Sequence, residues 1–385
     1  MTSPTLTATV AVIGGGVVGT AILHALSSRG VDAVLLEADS DLAYAASGTN
    51  SGVLHTGFDS TPGDLETELI LRSAQLRPKI LESLGVPVLH CGAELVPHRP
   101  EDAETVRSLV AGAEANGVEV QIRESDGALL VPGESVTDPV AFTLALARSA
   151  TRAGAQIELD ARVSEIEEHD DGLTVGLVDG RHIRVEVAIN CAGLHADDIA
   201  RLVGDDSFEI YPRKGEFFVF ELPDAATLDR IVLPVPTKRT KGVLVFPTLD
   251  GRVVAGPTAV DLLDKNDWGV RPEAYREIID KAVDQLPALR GLEPVASYAG
   301  LRPAGRNANY IIGPSATCRR LVNVAAIRST GLSASLGIAA HVTELLPDLG
   351  VELGDEREPG VAEPGESTGL WWQRTAERHR ARTAE

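Results

Sequence analysis

A run of β-forming apolar residues, Thr7-Ala-Thr-Val-Ala-Val-Ile13, stops at Gly14-Gly-Gly-Val-Val-Gly19. It gives way at Thr20–Arg29 to helical periodicity carried by Ile22, Leu23 and Leu26. Strand, glycine turn and helix in that order leave little freedom for the fold. Gly14 permits the tight turn, Gly16 lets backbone N–H groups approach a pyrophosphate, and Gly19 lets helix and strand pack closely, with the phosphates on the positive helix end. A second strand, Asp32-Ala-Val-Leu-Leu-Glu37, ends in a carboxylate 18 residues beyond Gly19. Glu37 is placed to accept ribose hydroxyls, and its charge would repel a 2′-phosphate, which disfavours NADP. The expectation is a Rossmann-like unit holding a dinucleotide.

The segment after the second strand separates FAD from NAD. Ser47-Gly-Thr-Asn-Ser-Gly-Val-Leu-His-Thr-Gly57 is small, polar and glycine-rich, where NAD-binding units usually enter another helix. Val185–Gly193 reads as a buried strand ending in a small-residue turn, with helix-like Ala196–Val203 after it. Leu321–Ser335 is again strand and turn, running into the apolar helix 336–346. A helix beginning at Gly331-Leu332 would aim its positive end into that turn, and a reduced flavin needs such a dipole near its N1–C2=O edge.

With these segments in order, the chain resembles the D-amino-acid-oxidase-like FAD-dependent oxidoreductases over about residues 8–347, in particular the branches of the glycerol-3-phosphate dehydrogenases and L-2-hydroxyglutarate oxidases. The resemblance is carried by the glycine fingerprint with Glu37, Asn50-Ser-Gly-Val-Leu-His55, Asn190-Cys-Ala-Gly193 with Ala196-Asp197, Arg213-Lys-Gly-Glu216, Gly256-Pro-Thr-Ala259, Ala299-Gly-Leu-Arg-Pro303 and Ile327-Arg-Ser-Thr-Gly-Leu332. It implies an α/β chain, α+β overall: a discontinuous Rossmann-like FAD-binding domain (1–85, 140–205 and 300–350) with an inserted antiparallel-sheet substrate domain (86–139 and 206–299). Within the insertion, 216–221, 242–247 and 252–256 read as strands and 273–286 as an amphipathic helix. Residues 351–385 form a Pro-, Gly- and acid-rich linker and a terminal helix carrying Trp371 and Trp372. That helix either docks or serves as a peripheral foot on anionic lipid or a partner.

The cofactor-binding residues so implied are Gly14, Gly16, Gly19, Glu37, Ser47, Thr49, Asn50, Ser51, Gly52, Val163, Gly193, Ser329, Thr330, Gly331 and Leu332. Oxidising a C–H beside an oxygen needs the carbon held over flavin N5, a base for the hydroxyl proton and cations for an anionic substrate. His55 ends the stretch that in the family runs under the flavin, and imidazole suits a base near neutrality. Arg302 and Arg328 offer planar forks for carboxylate or phosphate. Arg213, Lys214, Lys238, Arg239 and Lys241 read mostly as a solvated basic face, with Lys241 able to steer an anion inward. The implied reaction is oxidation of the secondary alcohol of a small anionic substrate, with oxygen, a quinone or another carrier as electron acceptor. Oxidation of an amine or amino acid, and a flavin module without turnover, are the alternatives. Several histidines and Cys91 leave covalent flavin attachment open.

Composition removes other classes. Lys and Arg number 35 against 56 Asp and Glu, a charge of -21 that repels phosphate backbones and argues against nucleic acid. Cys91, Cys191 and Cys318 are sparse and read as buried small residues without metal-ligand spacing. With no charged-then-apolar leader they suggest a reducing cytosol. No apolar run approaches the roughly 18 residues that span a bilayer, so membrane contact is expected to be peripheral at most.

Overall fold

The computed structural model describes residues 6–223, 226–236, 242–357 and 370–382. At its centre lies a six-stranded sheet in the order Gln156–Glu158, Ala33–Leu36, Val10–Ile13, Val187–Asn190, Leu321–Ala325 and Ile311–Pro314. The first five strands run parallel and the last is an antiparallel edge. The inner strands are covered on both faces, which is why Val10–Ile13 and Ala33–Leu36 read as unbroken apolar runs rather than alternating ones. Val10, Val12, Ala33 and Leu35 face the helices Val17–Ser28, Pro139–Arg152 and Gly331–Leu345. Ala11, Ile13, Val34 and Leu36 face a second sheet built from Leu6–Thr7, His182–Val185, Gly172–Leu177 and Val163–His169.

The second lobe, the expected substrate lobe, is a larger sheet organised on two long strands, Ile210–Phe220 and Ala296–Gly305, paired antiparallel from Ile210 opposite Gly305 to Val219 opposite Ala296. Strands from 93–95, 121–122 and 129–131 extend it, and Ile231–Leu233 pairs with Ala93–Leu95 in parallel, a single parallel pair in an otherwise antiparallel sheet. Helix Ala274–Gln285 buries Ala274, Ile278 and Ala282, spaced four apart, against Phe218, Phe220 and Val245. A three-stranded sheet of Val53–Leu54, Ser135–Thr137 and Val88–Leu89 joins the lobes.

The helix Trp371–Arg382 is docked. Trp371 and Trp372 are buried, Trp371 lying edge-on to Tyr298, which stacks on Phe217. The Trp372 indole donates to Asp250 at 3.1 Å, Arg374 pairs with Asp138, and the Thr375 hydroxyl donates to the Gly48 carbonyl. Both tryptophans are therefore turned into the protein, not outward as a lipid-facing foot would need. No helix among the described residues is long and apolar enough to cross a membrane.

This packing sets two stability expectations. Trp371→Ala empties an aromatic slot at the core of the substrate lobe and is expected to cost about 3 kcal/mol, read as a lowered Tm. His24, buried in the first helix without solvation for a charge, has its pKa pushed down from 6.5 to about 4. The unfolded chain takes up that proton first, so stability falls as pH drops from about 6.5 to 4, by about 3 kcal/mol. Denaturant unfolding at successive pH values should show a flatter slope in His24→Leu; an unchanged slope would mean that His24 does not contribute to acid sensitivity.

Candidate active site

A groove of about 810 Å³ opens at the C-terminal ends of the parallel strands, where ligands of open α/β sheets sit. Its floor is the glycine turn. Gly14 has φ +112°, and a Cβ there would lie 2.5 Å from the Cys191 carbonyl oxygen; one on Gly19 would overlap the Gly14 carbonyl oxygen. Both positions therefore require glycine for chain-on-chain contact. Gly16 differs, because its absent side chain points toward the groove, with only Ser47 Oγ at 3.0 Å. A side chain there would project into the groove at the helix start, the place where backbone N–H groups would meet the phosphates of a dinucleotide. The Ser47 hydroxyl accepts from the Val17 N–H at 2.9 Å, tying the second loop to the start of the first helix.

Glu37 lines the groove and is fixed by the Gly15 N–H on one oxygen and the Asp39 N–H, at 2.9 Å, on the other; burial raises its pKa. Asn50, Val163, Gly193, Gly331 and Leu332 also line it. Thr49, Ser51, Gly52, Ser329 and Thr330 do not; they shape its walls. The Thr49 hydroxyl bonds the Ala45 and Ala46 carbonyls, and Gly52, at φ +81°, donates its N–H to Asn50 Oδ1. Thr330 is buried between Glu66 and Tyr310, and the Ser329 carbonyl faces Asn50 Nδ2 at 3.5 Å. The glycine cradle, the acid at the second strand and the helix start at Gly331 together fit FAD, which would lie along this groove.

His55 comes directly after the strand Val53–Leu54, and its N–H donates to Ser333 Oγ at 2.8 Å, which seats it beside the start of helix Gly331–Leu345. Its Nδ1 lies 2.9 Å from Glu134 Oε2. Glu134 is wholly buried and also accepts from the Thr56 N–H at 2.6 Å and the Thr56 hydroxyl at 2.9 Å. Arg77, from helix Leu65–Ser83, donates to the His55 carbonyl at 2.8 Å, and burial lowers its pKa to about 10 against the opposing pull of Glu134. Sequence reasoning missed Glu134 and Arg77. The only signal was a carboxylate just after the Pro132-Gly133 turn in an apolar stretch.

Arg302 projects from the long strand of the substrate lobe. Its Nε donates to the Arg213 carbonyl at 3.0 Å, and Nη2 to the carbonyls of Lys214 and Thr258 at 2.9 and 2.8 Å. Among the described residues no carboxylate lies within ion-pair distance of it. Burial, then the charges of Arg213 and Arg328, lower its pKa to about 10. Arg328 sits on the groove wall at φ +57°, its N–H held by the Pro303 carbonyl. Lys214, expected on a solvated face, is instead fully buried, bonding Asp267 and the Gly269 carbonyl at 2.7 Å, because Arg213 alone of the pair takes the outward side of the strand. Lys238, Arg239 and Lys241 lie outside the described residues. Cys191 and Cys318 are buried as expected, while Cys91 is only half-buried; partial burial pushes the Cys91 thiol up to about 11, and burial moves those of Cys191 and Cys318 upward. No metal-ligand cluster occurs among the described residues.

A parallel sheet with a phosphate cradle, joined to an antiparallel lobe that overhangs it with arginines, defines a flavin-dinucleotide oxidoreductase. Residues 9–345 match the FAD dependent oxidoreductase family, and the chain belongs to it. It is 29% identical to a glycerol 3-phosphate dehydrogenase of Caloramator mitchellensis over 88% of this chain and 74% of that one. It is 28% identical to an L-2-hydroxyglutarate dehydrogenase of Escherichia coli strain K12 over 70% and 68%. The FAD-bound L-alpha-glycerophosphate oxidase of Mycoplasma pneumoniae superposes with a TM-score of 0.87 at 27% identity, covering 93% of this chain and 98% of that one. FAD is accordingly the cofactor, and the chain is a dehydrogenase or oxidase of CH–OH and related donors.

Gly16→Val should fold but purify without flavin, read as the ratio of absorbance near 450 nm to protein; a fully yellow variant would mean that the phosphates do not cross Gly16.

Proposed function

We propose that this chain oxidises the secondary alcohol of sn-glycerol 3-phosphate. The observation that carries the reading is Arg302, a half-buried guanidinium whose Nε and Nη2 donate to main-chain carbonyls, whose Nη1 has no partner among the described residues, and which forms no ion pair with a carboxylate among them. Arg213 and Arg328 stand close enough to depress its pKa further, while among the described residues Asp261, paired with Arg213 at 2.7 Å, offsets them. Three guanidinium charges against one carboxylate leave a net charge of about +2, suited to a phosphate dianion. The similarity to glycerol 3-phosphate dehydrogenases and oxidases supports the same substrate. FAD, held in the groove, would supply the hydride acceptor for the carbon that bears the hydroxyl. His55 takes the hydroxyl proton, Arg302 holds the anionic end and Arg328 flanks it. A second reading, L-2-hydroxyglutarate, also carries two negative charges and is favoured by the relatives of that activity.

The test is anaerobic reduction of the flavin, monitored near 450 nm, with sn-glycerol 3-phosphate, L-2-hydroxyglutarate and a panel of amino acids. Glycerol 3-phosphate alone should bleach the band at low concentration, and readmitted air then shows whether oxygen is the acceptor. Bleaching by 2-hydroxyglutarate instead moves the assignment to the second reading, and bleaching only by an amino acid defeats both. Arg302→Lys, which keeps charge but loses the fork, is expected to raise the half-saturating substrate concentration roughly 10- to 100-fold. An unchanged value would remove Arg302 from substrate binding.

A further inference from the structure

We propose that Glu134 is the positioning residue for His55, fixing which ring nitrogen faces the substrate and holding the imidazole ready for its proton. This rests on the reading of His55 as the base. Nothing in the reaction itself calls for a second carboxylate behind the histidine. Yet Glu134 is wholly buried, and such a charge persists only where its acceptor sites are filled. Three donors fill them here: the Thr56 N–H and hydroxyl on Oε1, and His55 Nδ1 on Oε2.

A carboxylate has no proton to give, so the Nδ1 partner must be Nδ1–H, and neutral His55 is then the tautomer whose lone pair lies on Nε2. When Nε2 takes the substrate's hydroxyl proton, the new imidazolium stands against a desolvated carboxylate already oriented toward it. This division of labour, one group reacting and another orienting, is the logic of hydrogen-bonded triads in general. The backbone keeps the pair in place from both sides. Val53–Leu54 and Ser135–Thr137 pair in register, Val53 opposite Val136 and Leu54 opposite Ser135, so His55 and Glu134 occupy the next rung. Gly133 keeps the turn close to the histidine strand, since a Cβ there would stand 2.8 Å from Thr56 Cγ2. Arg77 clamps the His55 carbonyl and Ser333 its N–H, so neither the main chain nor the ring is left to rotate. Among the described residues, the charged groups turned toward His55 from these elements include Glu134 of the strand turn and Arg77 of helix Leu65–Ser83.

The experiment compares wild type, Glu134→Gln, His55→Asn and the double variant as holoenzymes, measuring flavin content and the anaerobic flavin-reduction rate at saturating glycerol 3-phosphate across pH. Glu134→Gln should keep its flavin, lower the limiting rate roughly 10- to 100-fold and move the midpoint of the rate–pH curve to lower pH, because the imidazolium loses its counter-charge. The double variant should be no slower than His55→Asn alone. If His55→Asn slows reduction while Glu134→Gln matches wild type in rate and midpoint, the positioning role falls and the base stands. If His55→Asn itself changes nothing, the reading of His55 fails and takes this one with it. Should Glu134→Gln not fold, 15N NMR of histidine-labelled wild-type holoenzyme, with the His55 signals assigned through His55→Asn, decides the matter. Neutral His55 protonated on Nδ1 supports the proposal, and neutral His55 protonated on Nε2 overturns it.

Discussion

The contact on which the rest of the molecule depends is between glycines and main-chain carbonyls at the first turn. Gly14 lies against the Cys191 carbonyl and Gly19 against that of Gly14, so strands Val10–Ile13 and Val187–Asn190 and the first helix converge without side chains between them. That convergence brings the N–H groups of the helix start to one spot and opens the groove beyond it. Any larger residue at either position would separate strand from helix and close the cradle at the same time, because the space is claimed by backbone and cannot be yielded by a rotamer change. If the dinucleotide lies in this groove, stability and cofactor binding rest on the same few atoms.

The reacting half is assembled from the other lobe by a different device. Ten paired positions between Ile210–Phe220 and Ala296–Gly305 form a rigid ribbon, and it sets Arg302 among carbonyls and not carboxylates. Nearby buried charges are, by contrast, fully paired: Lys214 with Asp267, and Glu216 with Arg271 at 2.7 Å and with the Thr258 hydroxyl. Beside these pairs, Arg302 has no carboxylate partner among the described residues. An exception of that kind is what binding an anion requires.

Local chemistry is legible in the sequence, and distant pairing is not. The strand–turn–helix at residues 7–29, the acid at Glu37, the returning strands near 187 and 321 and the amphipathic helix near 274 all announce themselves by periodicity or by glycine, over short windows. Helix Gly331–Leu345 begins at the Gly331-Leu332 turn, where the sequence places a helix start, and so ahead of the apolar run 336–346. Glu134 is invisible because its partner lies 79 residues away and the strand beside it is three residues long. Lys214 misleads for the same reason: a lysine in a basic stretch looks solvated until Asp267, 53 residues on, is folded against it. The terminal helix is legible as a helix, but its inward tryptophans depend on Tyr298 and Phe217 of the other lobe, a contact no local window contains.

The proposed chemistry stands or falls on where the substrate's anionic group rests relative to the flavin. The most direct measurement is a crystal structure of the holoprotein, reduced beforehand to prevent turnover, with sn-glycerol 3-phosphate bound. The expected result is the phosphate on Arg302 beside Arg328, and the carbon-bound hydroxyl within hydrogen-bond reach of His55 Nε2. A phosphate seated away from Arg302, or a hydroxyl turned from His55, would contradict it.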